Sequence, residues 1–425
     1  VNLVIQPGKI ISQGLLLIQN GKIVYAGKKK KIPSSFQVHF LKGKWIYPAF
    51  IDLGASFGLK KPEKRNGTHH PNKEVHPEWR GEELFEGNPT LEEEYRRQGF
   101  ATLLVTPREG IFRGKSVMVL LKKSPLSKRI LPSVAFHGIG FARKGWGTKP
   151  SSKMGAIALI RQTFYDALWY GNIWKLYKKN PYKIHVPEKN LSLEALYQAC
   201  ISKDFFLAKC QKEWDFYRWY KIFHEFHLPY VLMASGREYA CLPWIKKLPQ
   251  VSYILPLNFP QKPKNIDTFT FHETSLREIL HIYHAPRTPY YFAKRGIPFA
   301  LTMGNLSPKE FPKQIHEVLK SGLSPDEALR ALTITPAKIA GVSQLMGTLE
   351  KGKMANFIIA NGPLFQKQTT LEELWIEGIK SYGKEKMLWN PQGKWVFTRR
   401  LKKGKKRKGV RKKEKGKNGR GGGER

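Results

Sequence analysis

Residues 47–58, Tyr47-Pro48-Ala49-Phe50-Ile51-Asp52-Leu53-Gly54-Ala55-Ser56-Phe57-Gly58, carry an apolar run broken by one acid and closed by two glycines. The run reads as a buried strand entering a tight loop. Upstream, "LLLIQNGKIVY" (15–25) sets two β-rich runs around Asn20-Gly21, a pair that tolerates the positive φ of a two-residue hairpin. A third run, "VHFLKGKWIYP" (38–48), follows, and "GTLEKGKMANFIIANG" (347–362) and "LEELWIEGIKSYG" (371–383) repeat the short-strand pattern near the other end. Strands at both ends therefore enclose a long middle.

That middle alternates. "FATLLVTP" (100–107), "FFLAKC" (205–210), "PYVLMAS" (229–235), "VSYILPLN" (251–258) and "GIPFALTM" (296–303) read as buried strands. Between them lie helical periods: one opened at Thr90 with acids in its first turn, "MGAIALIRQTFYDALWYG" (154–171) capped by Ser151 or Ser152, "SLEALYQACI", "EWDFYRWYKIFHEF", "REYACLPWIKK" and "SLREILHIYH" (275–284). "SPDEALRAL" carries Ser324 at the N-cap, Pro325 at the first position and Glu327 at the third. Repeating strand and helix predicts a parallel α/β core, and the length suits a (β/α)8 TIM-type barrel better than an open sheet. The expected division is a small composite β-sandwich from residues 1–47 and 347–398, a barrel over 48–346 with an insertion at 108–150 holding two further strands, and a basic tail at 399–425 that reads as disordered.

Composition limits the function classes. The chain has 425 residues, 41% apolar, enough for a large core. Cys200, Cys210 and Cys241 form no disulfide framework and read as buried small residues in a reducing compartment. No apolar run is long enough for a membrane span, and the start lacks the basic-then-apolar pattern of a leader. The first residue is Val, which leaves a removed leader open; the default expectation is the cytoplasm. Net charge is +41, and residues 399–425 contribute 15 basic against 2 acidic side chains, so much of the excess lies on the body. Such a field favours salt-sensitive, sequence-independent contact with polyanions, and the tail suits either nucleic-acid binding or a solvated linker.

With these segments placed, the chain resembles the amidohydrolase superfamily, its imidazolonepropionase-like branch in particular. The matching stretches are "QNGKIVYAG", "GKWIYPAFIDLG" and "GLSPDEALRALTITPAKIAGVSQLMGTLEKGKMANFIIANGP" (322–363). "GEELFEGNPTLEEEYRRQGFATLLVT", "MGAIALIRQTFYDALWY" and "LPLNFP" further resemble a subgroup in which this module is the front half of a two-module protein whose second module carries the metal site. The resemblance implies a barrel that hydrolyses carbon–nitrogen bonds, such as those of cyclic amides, with zinc or another divalent metal. Such a metal lowers the pKa of a bound water and polarises the carbonyl, and it needs about three converging ligands.

Position by position, the implied ligands are missing. Where the family has His-x-His after Ile-Asp-Leu, this chain has Gly54, Ala55 and Ser56. At the strand 205–210 the place of a histidine falls on Lys209; the turn "ASGREY" keeps Glu238 without a histidine. The catalytic aspartate after Thr302 is replaced in "TMGNL", where Asn305 stands nearby, and the usual Asp-Ala-Asp reads Met354-Ala355-Asn356. An amide cannot serve as a general base near neutral pH. The expectation is a non-catalytic module with no cofactor, partnered by an active amidohydrolase module or subunit. The alternative is an altered C–N hydrolase with Ser56, Lys209, Glu238 and Asn305 converging at the barrel mouth.

Other groups suggest sites more weakly. His69, His70 and His76, with Glu74, share one loop and could take up a metal; the plainer reading is a solvated loop. His281 and His284 share a helix face, as do His224 and His227, without a third ligand at fixed spacing. Arg143, Lys144, Lys149 and Lys153 precede a helix N-terminus and could hold an anion, or form a lid or solvated loop. No nucleophile elbow or phosphate loop is present in the sequence. Trp169, Tyr170, Trp174, Trp214, Tyr217, Trp219 and Tyr220 at helical spacing read as core, with sugar or nucleic-acid stacking as the alternative.

Overall fold

In the strand Phe50–Ala55 every residue is buried, and the same holds for Phe100–Val105, with which it pairs in parallel. Burial on both faces is the condition of a parallel sheet covered by helices, and it explains the unbroken apolar runs. The computed structural model describes residues 1–62, 67–141, 149–248, 251–261 and 275–383. Five more strands, Phe136–Gly140, Phe205–Lys209, Tyr230–Met233, Tyr253–Pro256 and Phe299–Thr302, run parallel in one sheet in chain order. The fold is mixed α/β, as the alternation requires.

Two contacts relate the strand pair to the five-strand array. On one side, Phe112–Lys115 pairs antiparallel with Phe136–Gly140, while the next strand, Val117–Leu120, pairs antiparallel with Phe100–Val105. Residues 112–120 thus bridge both sheets, and the Ser116 N–H between the two strands donates to the Phe136 carbonyl at 2.7 Å. On the other side, Thr302 and Met303 bond to Asp52 (below). Where the sequence suggests two strands between 108 and 150, the described residues there form four, of which Phe136–Gly140 belongs to the parallel array.

Several helix starts follow side-chain caps. Asn88, not Thr90, begins Pro89–Arg97: its side chain accepts from the Leu91 N–H, and Pro89 takes the first helical position. Ser152 accepts from Gly155 and starts Lys153–Lys179, eight residues longer at its end than the apolar period suggests. Ser324 and Glu327 form the expected reciprocal cap, and Ser275 with Glu278 forms another. "REYACLPWIKK" gives only a 3-10 turn at Glu238–Cys241 and a short helix at Leu242–Ile245, consistent with Pro243 inside it.

Both chain ends share one sheet, in the order Ile379–Tyr382, Leu371–Ile376, Phe357–Ala360, Trp45–Pro48, Asn2–Gln6, Lys9–Ile11. The hairpin Gly14–Gln19/Lys22–Lys28 turns at Asn20 and Gly21, both at positive φ as the pair predicts. Leu3, Ile5, Ile23, Ile46, Phe357 and Ile359 form a core separate from that of the parallel strands. The described residues belong to one compact unit. Residues 384–398 of the expected end domain and the basic tail 399–425 lie outside the described residues.

The three cysteines are buried and free, as their spacing suggests. The aromatic helices divide: Trp219 and Tyr170 are core, while Trp169, Trp214 and Tyr217 are exposed. Among the described residues no helix is long and apolar enough to cross a membrane.

Candidate functional site

The loops after the strands Phe50–Ala55, Phe100–Val105 and Phe299–Thr302 meet at the strands' C-terminal ends, where α/β folds place their chemistry. Asp52, fully buried, is the anchor. Its Oδ1 accepts from the Gly54 N–H at 2.8 Å and from Thr302 Oγ1 at 2.5 Å, and its Oδ2 accepts from the Met303 N–H at 3.1 Å. Burial pushes this carboxyl's pKa up, and the three donors oppose the shift. Gly54 sits against the same threonine: a Cβ there would collide with Thr302 Oγ1. Thr302 Oγ1 also accepts from the Gly304 N–H at 2.9 Å, so its place is fixed from both sides.

Above this junction lies an arginine. Arg108 follows the strand Phe100–Val105 and donates Nε to Ser56 Oγ and Nη2 to Asn305 Oδ1, the latter at 3.1 Å. One guanidinium thereby joins the loops after the strands Phe50–Ala55, Phe100–Val105 and Phe299–Thr302. Lys209 ends its own strand opposite Gly140. Burial, then the charges of Arg113 and Arg108, lower its pKa. The Arg113 side chain runs along Gly138 to Gly140, where a Cβ would collide with its Nη2; glycine at 140 leaves the space the guanidinium fills. Arg113 is 7% exposed, and burial lowers its pKa to about 10 against the opposing charge of Glu74.

Of the residues singled out from sequence, Ser56 and Asn305 meet through Arg108, and Lys209 feels the same arginine. Glu238 is engaged elsewhere. Fully buried, it accepts from the Ser235 N–H at 2.6 Å, the Ser235 hydroxyl at 2.9 Å and the Gly236 N–H at 2.8 Å, closing its own turn. Arg108 and Arg113 are the residues sequence reading missed. The available signal was position: Arg108 follows a buried strand's C-terminal end by three residues.

The histidines make other pairings. His69 Nδ1 and His76 Nδ1 lie 3.4 and 3.7 Å from Glu78 Oε1, and the His76 ring stacks on Trp79. His70 Nδ1 accepts from the Asn72 N–H. His281 Nδ1 lies 3.5 Å from the Tyr239 hydroxyl, and His284 Nδ1 lies 3.0 Å from the Tyr291 hydroxyl. Burial, with Arg237 and Arg277, lowers the His281 pKa to about 4. Lys149 is exposed; Arg143 and Lys144 lie outside the described residues.

Among the described residues no three His, Cys, Asp or Glu side chains gather to hold a metal. The strand-end donors are also the wrong kind. The position after Leu53 has no room for a side chain, and the two outer positions share a guanidinium cation. This set does not fit a divalent metal.

Residues 299–396 match the amidohydrolase family model. No curated protein sequence matches the chain. Among solved structures, an amidohydrolase from Thermotoga maritima MSB8 is 20% identical, with TM-score 0.71 over 87% of this chain and 95% of that one. A Xaa-Pro dipeptidase with bound methionine in its active site is 13% identical, with TM-score 0.54 over 90% and 98%. A prolidase complexed with N-methylphosphonate-L-proline is 13% identical, with TM-score 0.52 over 90% and 98%. At these identities the likeness speaks for the fold.

Proposed function

This chain is related to the amidohydrolase superfamily, by the match of residues 299–396 and by its fold, and on that premise we propose that it is a non-catalytic module of the family. Its two core sheets act as one (β/α)8-type barrel, and the sheet and hairpin from both chain ends act as a composite sandwich beside it. The module serves an active amidohydrolase, in the same chain or as a subunit, that acts on carbon–nitrogen bonds. The imidazolonepropionase-like branch remains its proposed place in the superfamily.

One observation carries the reading. The Arg108 guanidinium occupies the centre between Ser56 and Asn305, beside positions where the family resemblance expects a metal ligand and a catalytic acid. A fixed cation there opposes a metal ion electrostatically and supplies no base for water. The second reading, an altered C–N hydrolase, draws support from Lys209 at the end of its strand, whose pKa is lowered by burial and by the charges of Arg113 and Arg108. Glu238 takes no part in either reading, since its oxygens serve its own turn.

The test is turnover. The purified chain is incubated with cyclic amides and Xaa-Pro dipeptides, with and without added zinc or manganese, and release of product is followed. No product above the buffer rate is expected. Turnover that disappears in Lys209→Met would overturn the proposal and establish the second reading.

A further inference from the structure

Three basic side chains stand at the strand ends, Arg113 with its Nη2 over Gly140, Lys209 paired opposite that glycine, and Arg108 after the neighbouring strand, and none of them shares a hydrogen bond with a carboxylate among the described residues. Arg108 bonds only to the neutral groups of Ser56 and Asn305. Arg113, more than nine-tenths buried, donates Nε to the Gly110 carbonyl at 3.0 Å, and neither of its Nη groups has a hydrogen-bond partner among the described residues. Lys209 Nζ likewise has none there, and none of the three forms an ion pair among the described residues.

Like charges brought together under partial burial raise the energy of the fold, and proteins offset that cost with a counter-charge. The nearby acids are committed. Asp52 lies beneath the site with its oxygens held by Gly54, Thr302 and Met303; Glu238 is closed into its turn. Glu74 faces Arg113 and offsets one of the three positive charges. The remaining charge stays at the C-terminal ends of the strands, where the Arg113 Nη2 lies over Gly140 and Gly140 pairs with Lys209. It is not removed by general acidity of the surface, because the chain is strongly basic as a whole.

We infer that these strand ends bind a small oxyanion of double negative charge, a dicarboxylate or a phosphate, between Arg113, Lys209 and Arg108. The paired Nη groups of Arg113 offer the flat, parallel donors that a carboxylate or phosphate accepts from. Lys209 supplies a point charge from the adjacent strand. Arg108, tethered by Ser56 and Asn305, closes the third side. The inference rests on the reading of this centre as a place of binding rather than hydrolysis, and it names the ligand class that such a module would sense or hold.

The test is calorimetric titration of the full chain with succinate and, separately, inorganic phosphate, at constant ionic strength set by potassium chloride. Saturable binding of about one ligand per chain is expected, weakened about tenfold or more in Arg113→Met and in Lys209→Met, the loss of one charge-assisted contact each. The two variants guard against a folding defect in either. Preference for succinate or for phosphate identifies the source of the oxyanion. Absence of saturable binding, or equal binding in native and variant proteins, overturns the inference, since the general positive field then accounts for the heat. The turnover assay is separate: oxyanion binding together with amide hydrolysis would remove the non-catalytic reading and leave this site standing.

Discussion

The junction at Asp52 and the turn at Glu238 use the same chemistry at different reach. Each is a fully buried carboxylate with three donors, and burial pushes each carboxyl's pKa upward. The donors to Glu238 come from Ser235 and Gly236, within three residues. Two of the donors to Asp52 come from Thr302 and Met303, some 250 residues along the chain. A local carboxylate shapes one turn. A long-range one ties the first parallel strand to the last, and so couples the folding of nearly everything between them.

The largest effect should follow from cutting the long tie. Asp52→Ala leaves the Thr302 hydroxyl and two backbone N–H groups buried without acceptors, and should cost about 3–5 kcal/mol of unfolding free energy in urea. Asp52→Asn keeps one carbonyl oxygen and should fall between the variant and the native protein. A loss under 1 kcal/mol in Asp52→Ala would mean that the junction is not a structural tie.

Gly54 sharpens the comparison without removing any carboxylate. A Cβ at this position displaces Thr302 Oγ1, which donates to Asp52 and accepts from Gly304. Gly54→Ala should therefore destabilise by about 1–3 kcal/mol, the usual cost of overpacking. Pairing it with Thr302→Ser tests the cause. The serine removes a methyl but keeps the hydroxyl in conflict, so rescue should be incomplete; Thr302→Ala relieves the clash, and its effect with Gly54→Ala should be less than additive.

The turn should respond locally. Glu238→Gln retains one acceptor oxygen and introduces a donor where Gly236 already donates, a loss of about 1–2 kcal/mol. Hydrogen exchange should quicken at residues 235–241 and stay unchanged at Gly54 and Met303. Equal quickening at both places would erase the distinction between them.

The same contrast explains what could be read in the sequence. The hairpin at Asn20-Gly21, the reciprocal cap of Ser324 with Glu327 and the buried parallel strands are written in residues a few positions apart. Their signals are periodicity and turn chemistry, which act locally. The strand-end centre is assembled from residues 56, 108, 113, 209 and 305, and spacing carries no mark of their meeting. Only the family resemblance points to Ser56 and Asn305 in the sequence. It carries no mark of Arg108, because its motifs place metal ligands and not the cation that stands in their place. Thr90 shows a smaller failure: both Asn88 and Thr90 can cap a helix, and Pro89, preset for the first helical position, decides for Asn88.

The smallest effect lies at the periphery, where a group titrates while only half-buried. His281 on the helix Leu276–His284 faces Tyr239, Arg237, Arg277 and Glu213, and its pKa falls to about 4 because burial and the two arginines oppose its charge. Since the folded pKa is below the unfolded value near 6.5, the unfolded chain takes up the proton first as pH falls. This histidine therefore weakens the fold progressively from about pH 6.5 to about pH 4, and adds no further loss below that. His281→Phe keeps a ring beside Tyr239 but nothing to protonate. Its urea midpoint should fall less than that of the native protein between pH 7 and pH 4, with the gap opening inside that window. Neither Asp52 nor Glu238 can mimic the effect: a carboxyl whose folded pKa is raised favours the fold as it gains its proton, so both act in the opposite direction over acid pH. Parallel pH curves for the variant and the native protein would show that solvent, not Arg237 and Arg277, governs the ring.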